Sequence, residues 1–235
     1  MDPILQPPIG FAHRGARAHA PENTIESFTL ALKLGATGLE SDVWMTADGV
    51  AVLDHDGVVR SGLRRRPIGT LDRADLPPWI PTLEELYATC GTSFHLSLDV
   101  KDRAAAEPTM AIARAAGNGA ISRLWLCHPD WLVVRDWRAV DSDVRLVDST
   151  RYRRMKDGAE RRAADLADAG IDAVNLHHSD WNMGLATLFH RFERLCFGWD
   201  AQFERVLSQI LHYGLDGVFS DHVDRMVDAI KANDR

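Results

Sequence analysis

Four short stretches of this sequence put ionisable side chains at spacings that could do chemistry. Glu40 and Asp42 stand one residue apart, and Asp99 and Lys101 repeat that spacing. On a strand, residues i and i+2 face the same side, so each pair would project together. Two carboxylates facing one way repel each other unless a cation lies between them. Three carboxylates from neighbouring strands make an oxygen-rich pocket suited to Mg²⁺ or Ca²⁺ rather than to zinc. The plainer alternative is an Asp/Glu/Lys salt-bridge layer closing the mouth of a barrel. His13 and His55 titrate near neutral pH, so they can take a proton from one oxygen and deliver it to another. Arg14 offers a planar fork for phosphate oxygens and Lys101 a compact positive charge. Two cations beside a metal suit an anion such as a phosphodiester, whereas a neutral sugar would have little use for them. Among the remaining histidines, His128, His177 and His178 lie near strand ends and are weaker candidates to line the pocket. His19, His95, His190, His212 and His222 carry no such context.

Residues so far apart in the chain need a scaffold that brings strand ends together. Short apolar strands alternate with longer helical stretches throughout. Strands are expected over 9–12, 38–44, 94–100, 123–127, 144–147, 173–176, 195–198 and 217–220, each followed by a helix. The helix after the first strand runs over 25–34, with Asn23 or Thr24 as its cap. Pro81-Thr82-Leu83-Glu84-Glu85 opens the next with a cap-like start. After the second strand, Ala47-Asp48-Gly49 signals a turn and 50–53 returns as a short strand. The stretch 57–81 reads as irregular. Strict alternation argues for parallel strands joined by crossover helices. Eight units in one chain argue for an α/β fold of the closed (β/α)8 barrel type, a single domain over residues 1–235 with a β-hairpin and a short loop insertion after strand two. In such a barrel the active site lies at the C-terminal ends of the strands, which is where His13, Glu40, Asp42, Asp99 and Lys101 fall.

Composition narrows the partners. With 235 residues and a formal charge of −7, the chain lacks the basic field a nucleic-acid binder needs. Arg64-Arg65-Arg66 is the local exception, read either as a solvated loop or as a patch for anionic substrates and transient contact with membrane lipid. Three cysteines, Cys90, Cys127 and Cys196, match no zinc spacing and fit reduced thiols in the cytoplasm. The proline-rich start has no signal-peptide pattern, and no segment approaches the ~18 apolar residues of a membrane span. A cytoplasmic location is therefore expected, and the oligomeric state is left open.

His13-Arg14-Gly15, Pro21-Glu22-Asn23-Thr24, Glu40-x-Asp42, Thr46-x-Asp48-Gly49 and His55-Asp56, taken in order, resemble the glycerophosphodiester phosphodiesterase family. Pro81-Thr82-Leu83-Glu84-Glu85, Asp99-Val100-Lys101 and Gly217-Val218-Phe219-Ser220-Asp221 agree more loosely. The resemblance implies a barrel enzyme that cleaves glycerophosphodiesters to glycerol 3-phosphate and an alcohol with one divalent metal ion. It implies His13 and His55 as the acid/base pair and Glu40, Asp42 and Asp99 as metal ligands. Arg14 and Lys101 would hold the phosphate, Trp199 would contact the substrate, and Glu22 and Asn23 would organise the neighbouring loop. Two positions depart from the family pattern: Asp99 stands where Glu is usual, and Trp199-Asp200-Ala201-Gln202 replaces Trp-Thr-x-Asn. Only 26 residues separate His55 from Thr82, too few for a large cap, so the mouth is expected to be open and lined by Trp44, Trp79 and Trp181. The same residues would serve a phospholipase D-type enzyme acting on lysolipids, or a barrel that has lost catalysis and binds phosphate ligands.

Overall fold

The structure, a computed structural model, describes residues 3–61 and 64–233. The first two residues of the proline-rich start lie outside it. Eight parallel strands close on themselves: β1 (Ile9–Ala12), β2 (Gly38–Met45), then β6 (His95–Val100), β7 (Leu124–His128), β8 (Arg145–Thr150), β9 (Ala173–His177), β10 (Leu195–Trp199) and β11 (Gly217–Ser220). β1 pairs with β11 on one side and β2 on the other, which completes the barrel. The connecting helices are α1 (Ile25–Lys33), α2 (Leu83–Cys90), α3 (Ala106–Ala116), α4 (Trp131–Trp137), α5 (Ala159–Asp168), α6 (Met183–Arg191) and α7 (Glu204–His212); α8 (Val223–Asn233) follows the last strand. No helix among the described residues is long and apolar enough to cross a membrane.

Local chemistry starts the helices where the sequence places them. The Thr24 side chain accepts a hydrogen bond from the Ser27 N–H. Thr82 and Glu85 form a reciprocal capping box, satisfying two amides that otherwise lack partners.

The barrel interior is filled by aromatic side chains. Phe11 stacks on Phe219 at 4.5 Å and meets Phe197 edge-on at 5.5 Å, and Trp125 closes on Phe197 at 5.0 Å. This packing explains two glycines: a Cβ at Gly38 would sit 2.6 Å from the Phe11 ring, and one at Gly217 would sit 2.8 Å from Phe197. The second, larger core lies between the strands and the helices and takes in Leu98, Leu126, Leu146 and Leu176. Cys127 and Cys196 are buried, as small apolar residues would be.

Between β2 and α2 the chain first returns antiparallel along β2 as β3 (Ala51–Leu53). The segment 57–81, expected to be irregular, contains a second hairpin, β4 (Val58–Ser61) with β5 (Arg64–Pro67), followed by two 3-10 turns. Its strands lack the apolar alternation that identifies a half-buried strand, because Arg64 to Pro67 are all exposed and pair only with one another's hairpin arm. The turns cover a small core of Val52, Ile68, Leu71, Leu76 and Ile80.

Candidate active site

β1 ends in a tight, strained turn that aims two functional groups. Arg14 has φ 52° and Gly15 φ 80°, a backbone region costly for side-chain-bearing residues. A Cβ at Gly15 would run into Ser27. The turn is held by the Asn23 N–H and the Ser27 hydroxyl, both donating to the Arg14 carbonyl at 3.0 and 3.2 Å, and by Ser41 Oγ donating to Asn23 Oδ1 at 2.7 Å. Asn23 thus organises the loop, as expected. The turn leaves the Arg14 N–H donating to Glu40 Oε2 at 2.9 Å and His13 Nε2 3.8 Å from the same oxygen.

Glu40 and Asp42 share one face of β2 and are buried, at 7% and 2% exposure. Register puts Asp99 of β6 directly beside Asp42. Lys101 Nζ bridges the two, 2.9 Å from Asp42 Oδ1 and 3.1 Å from Asp99 Oδ2. His55 arrives from the returning hairpin, where the Asp54 N–H donates to the Asp42 carbonyl at 3.0 Å and the Gly57 N–H to Asp54 Oδ2 at 2.7 Å. His55 Nδ1 lies 2.9 Å from Asp56 Oδ1.

The electrostatics of the cluster are those of a site short of positive charge. Burial pushes Glu40 up to about 7; His13 opposes the rise, and Asp42 and Asp99 add to it by repulsion. Asp42 is raised in the same way by burial, with Lys101 and His55 opposing and Asp99 adding. Asp42 Oδ2 is buried with no hydrogen-bond partner. Arg14 Nε, also unpartnered, stands 3.9 Å from it, too far for a hydrogen bond. Three repelling carboxylates and one orphaned carboxylate oxygen fit a hard divalent cation such as Mg²⁺ or Ca²⁺. The three are less tightly drawn together than the His177–His178–Asp200 group, whose ligand atoms lie within 4.8 Å of one another, and Lys101 stands between two of them.

A cleft of about 610 Å³ opens onto this cluster, and His13, Glu40, Asp99, Lys101, His128 and Trp199 are among its lining residues. Asp42 and Arg14 are not among them. Arg14 Nη1 is engaged with Glu22 at 3.2 Å. His55 is not part of the lining; the contact its ring makes is with Asp56. The three tryptophans expected at the mouth are elsewhere. Trp181 is buried and donates to the Phe197 carbonyl, Trp44 packs against the small core under the insertion, and Trp79 is 66% exposed outside the cleft lining.

One site residue escapes a reading of single strand ends. Asp221 Oδ1 lies 2.6 Å from His13 Nδ1. Burial lowers the His13 pKa, but Glu40 and the Asp221 hydrogen bond outweigh it and the net shift is upward. Gln202 in turn accepts from the Asp221 N–H at 2.9 Å, so the departure at Asp200-Ala201-Gln202 has a local role. The overlooked signal was barrel closure: pairing Ala12 with Ser220 puts the residue after β11 next to the residue after β1.

Closed parallel strands with carboxylates and imidazole gathered at their C-terminal rim place the molecule among (β/α)8 barrels with an acid-and-imidazole site. The chain belongs to the glycerophosphoryl diester phosphodiesterase family, whose model matches residues 13–225. It is 38% identical over 111 residues to human glycerophosphodiester phosphodiesterase 1, a stretch covering 40% of this chain and 34% of that one. The chain spans less than half the length of the curated relatives it matches. Its fold resembles that of a Thermotoga maritima glycerophosphodiester phosphodiesterase (TM-score 0.80, 20% identity, 94% and 97% of the two chains). It also resembles an Oleispira antarctica phosphodiesterase in complex with the product sn-glycerol-3-phosphate (TM-score 0.79, 21% identity, 95% and 97%).

Proposed function

We propose that the chain hydrolyses glycerophosphodiesters to glycerol 3-phosphate and an alcohol. One observation carries the reading: Glu40, Asp99, Lys101 and the Asp221-held His13 meet at one cleft, and Asp42, paired to Lys101, keeps a buried oxygen without a hydrogen-bond partner. The glycerol 3-phosphate held by the Oleispira antarctica neighbour is the product this reading expects. Glu40, Asp42 and Asp99 would hold one divalent cation, which when bound draws charge from a phosphate oxygen and orients the diester. Lys101 and Arg14 bring positive charge to the remaining phosphate oxygens.

The protons are carried by His13 and His55. One imidazole takes the proton of the attacking oxygen as its bond to phosphorus forms. The other delivers a proton to the leaving alkoxide as its bond to phosphorus breaks. The first attacker is the glycerol's own neighbouring hydroxyl, giving a cyclic phosphate; water then opens the ring with the two imidazoles exchanging roles. Asp221 fixes the tautomer and tilt of His13, as a carboxylate behind a catalytic imidazole does. The lysolipid alternative calls for an apolar groove beside the carboxylates, and in this cleft Val100, Pro129, Trp199 and Phe219 share the lining with Arg151, Arg153 and Arg154.

The test is turnover of a glycerophosphodiester panel with Mg²⁺, Ca²⁺ and EDTA. His13→Ala and His55→Ala should each lower kcat/KM by about 10²–10⁴-fold, with circular dichroism unchanged, and EDTA should remove activity that either cation restores. Full turnover by either variant, or none by the wild type with both metals, would sink the proposal.

A further inference from the structure

Across the cleft from the carboxylates, the wall is built by the turn after β8, and three of its residues are Arg151, Arg153 and Arg154. Arg151 is compensated. Its Nε and Nη2 donate to Asp180 at 2.7 and 3.2 Å, and Asp180 Oδ2 also accepts from the Tyr152 N–H at 3.1 Å. One carboxylate therefore fixes the turn at two points. The Arg151 guanidinium lies 5.6 Å from the centroid of the Trp199 ring, which lines the cleft.

Arg153 and Arg154 are not compensated. Both are exposed, and among the described residues neither side chain has a hydrogen bond, an ion pair or a ring contact. Among the described residues, the cleft's carboxylates are Glu40 and Asp99; both belong to the acidic cluster, and Lys101 already pairs Asp99. A chain of net charge −7 thus holds two unpaired guanidiniums on a pinned turn, facing its reaction centre. The exposed Arg64 to Arg66 on their hairpin do not line this cleft.

We infer that this wall is the subsite of the leaving alcohol, and that the alcohol carries an anionic group, a carboxylate or a second phosphate. The inference rests on the phosphodiesterase reading for what occupies the rest of the cleft. With the scissile phosphate at the acidic cluster, the alcohol extends past Trp199 toward Arg153 and Arg154. A guanidinium fork matches either anion, and a quaternary ammonium in the same place is repelled.

The experiment compares binding of glycerophosphoinositol 4-phosphate and glycerophosphocholine by calorimetry, with Mg²⁺ present. The protein is the full chain carrying His13→Ala and His55→Ala, so that bound diester is not turned over. The anionic ligand should bind about tenfold more tightly, the product of two solvent-exposed charge contacts. Adding Arg153→Ala and Arg154→Ala should bring the ratio of the two Kd values to within about twofold, and raising ionic strength should shrink it in the parent. Equal affinities in the parent, or a ratio untouched by the arginine substitutions, overturns the subsite. Turnover by the wild type is read separately. A preserved Kd ratio without turnover would refute the reaction and support the subsite, whereas turnover with a flat ratio would refute the subsite alone.

Discussion

At the scale of single residues, the site depends on how His13 is held. Its Nδ1 faces Asp221 at 2.6 Å and its Nε2 is turned toward Glu40 at 3.8 Å, so one nitrogen is anchored while the other faces the cleft. Asp221→Asn keeps the shape and removes the charge. Loss of a carboxylate that orients a working imidazole lowers rates by at least about 10–100-fold. The expected result is that fall in kcat with KM changed much less, measured at steady state on the best diester. The pH profile separates orientation from mere packing. Glu40 and Asp221 are what lift the His13 pKa against burial, so in the Asn variant the limb that His13 governs moves toward lower pH. A profile that only drops, without moving, would mean that Asp221 acts through packing alone.

At the scale of elements, what could be read in the sequence follows from how local each signal is. Glu40-x-Asp42 and Asp99-x-Lys101 announce themselves because a strand's period of two places both members on one face, and their strands are neighbours in the sheet. The capping box at Thr82 and the turn at Asp48-Gly49 are equally local. Asp221 lies 208 residues from His13; its segment 217–221 resembles the family's last strand, but nothing local pairs it with His13 until the barrel closes. Arg153 and Arg154 stayed hidden for the same reason, since only the fold sets their turn across from Glu40. The β4–β5 hairpin is not legible because Arg64–Pro67 are all exposed and β4 buries its valines only in part. Elements also meet through a charge that no pattern flags. Asp148 of β8 is fully buried and pairs with Arg162 of α5 at 2.6 Å, while its other oxygen has no partner. Burial raises its pKa to about 6. The folded state therefore keeps this proton to higher pH than the unfolded chain does, and stability falls as pH rises from about 4 to 6. Asp148→Asn removes that dependence. Urea unfolding at pH 4 and pH 7 should show the stability difference, wild type minus variant, moving against the wild type by about 2–3 kcal/mol. A difference that does not change with pH would mean Asp148 ionises in the fold as it does unfolded.

At the scale of the whole molecule, the rim of the barrel is a reservoir of unfavourable charge carried by a well-packed interior. Phe11, Trp125, Phe197 and Phe219 fill the barrel beneath the site, whereas Glu40 and Asp42 are carboxylates whose pKa values burial raises, with repulsion from Asp99 adding to both. A carboxylate whose pKa the fold raises costs stability when ionised; burial and Asp99 raise that of Asp42 against Lys101, and Lys101 keeps Asp99 as a partner when Asp42 is neutralised. Without added metal, Asp42→Asn should therefore melt no lower than the wild type. A cation that binds the folded state alone stabilises it by mass action, by about 2.7 kcal/mol at a hundred times its Kd. For a chain of this size that corresponds to about 5–10 °C in Tm. Saturating Mg²⁺ or Ca²⁺ should raise the wild-type Tm by that amount over EDTA and leave Asp42→Asn nearly unmoved, so that the order of stability between the two proteins reverses on adding metal. The reversal is the informative part. If the carboxylates merely formed a salt-bridge layer with Lys101, which touches both Asp42 and Asp99, Asp42→Asn would lose stability in EDTA and the cation would shift both proteins equally. Scanning calorimetry of the two proteins under the two conditions decides between a rim built to close the barrel and a rim kept unsatisfied for a cation and its phosphate.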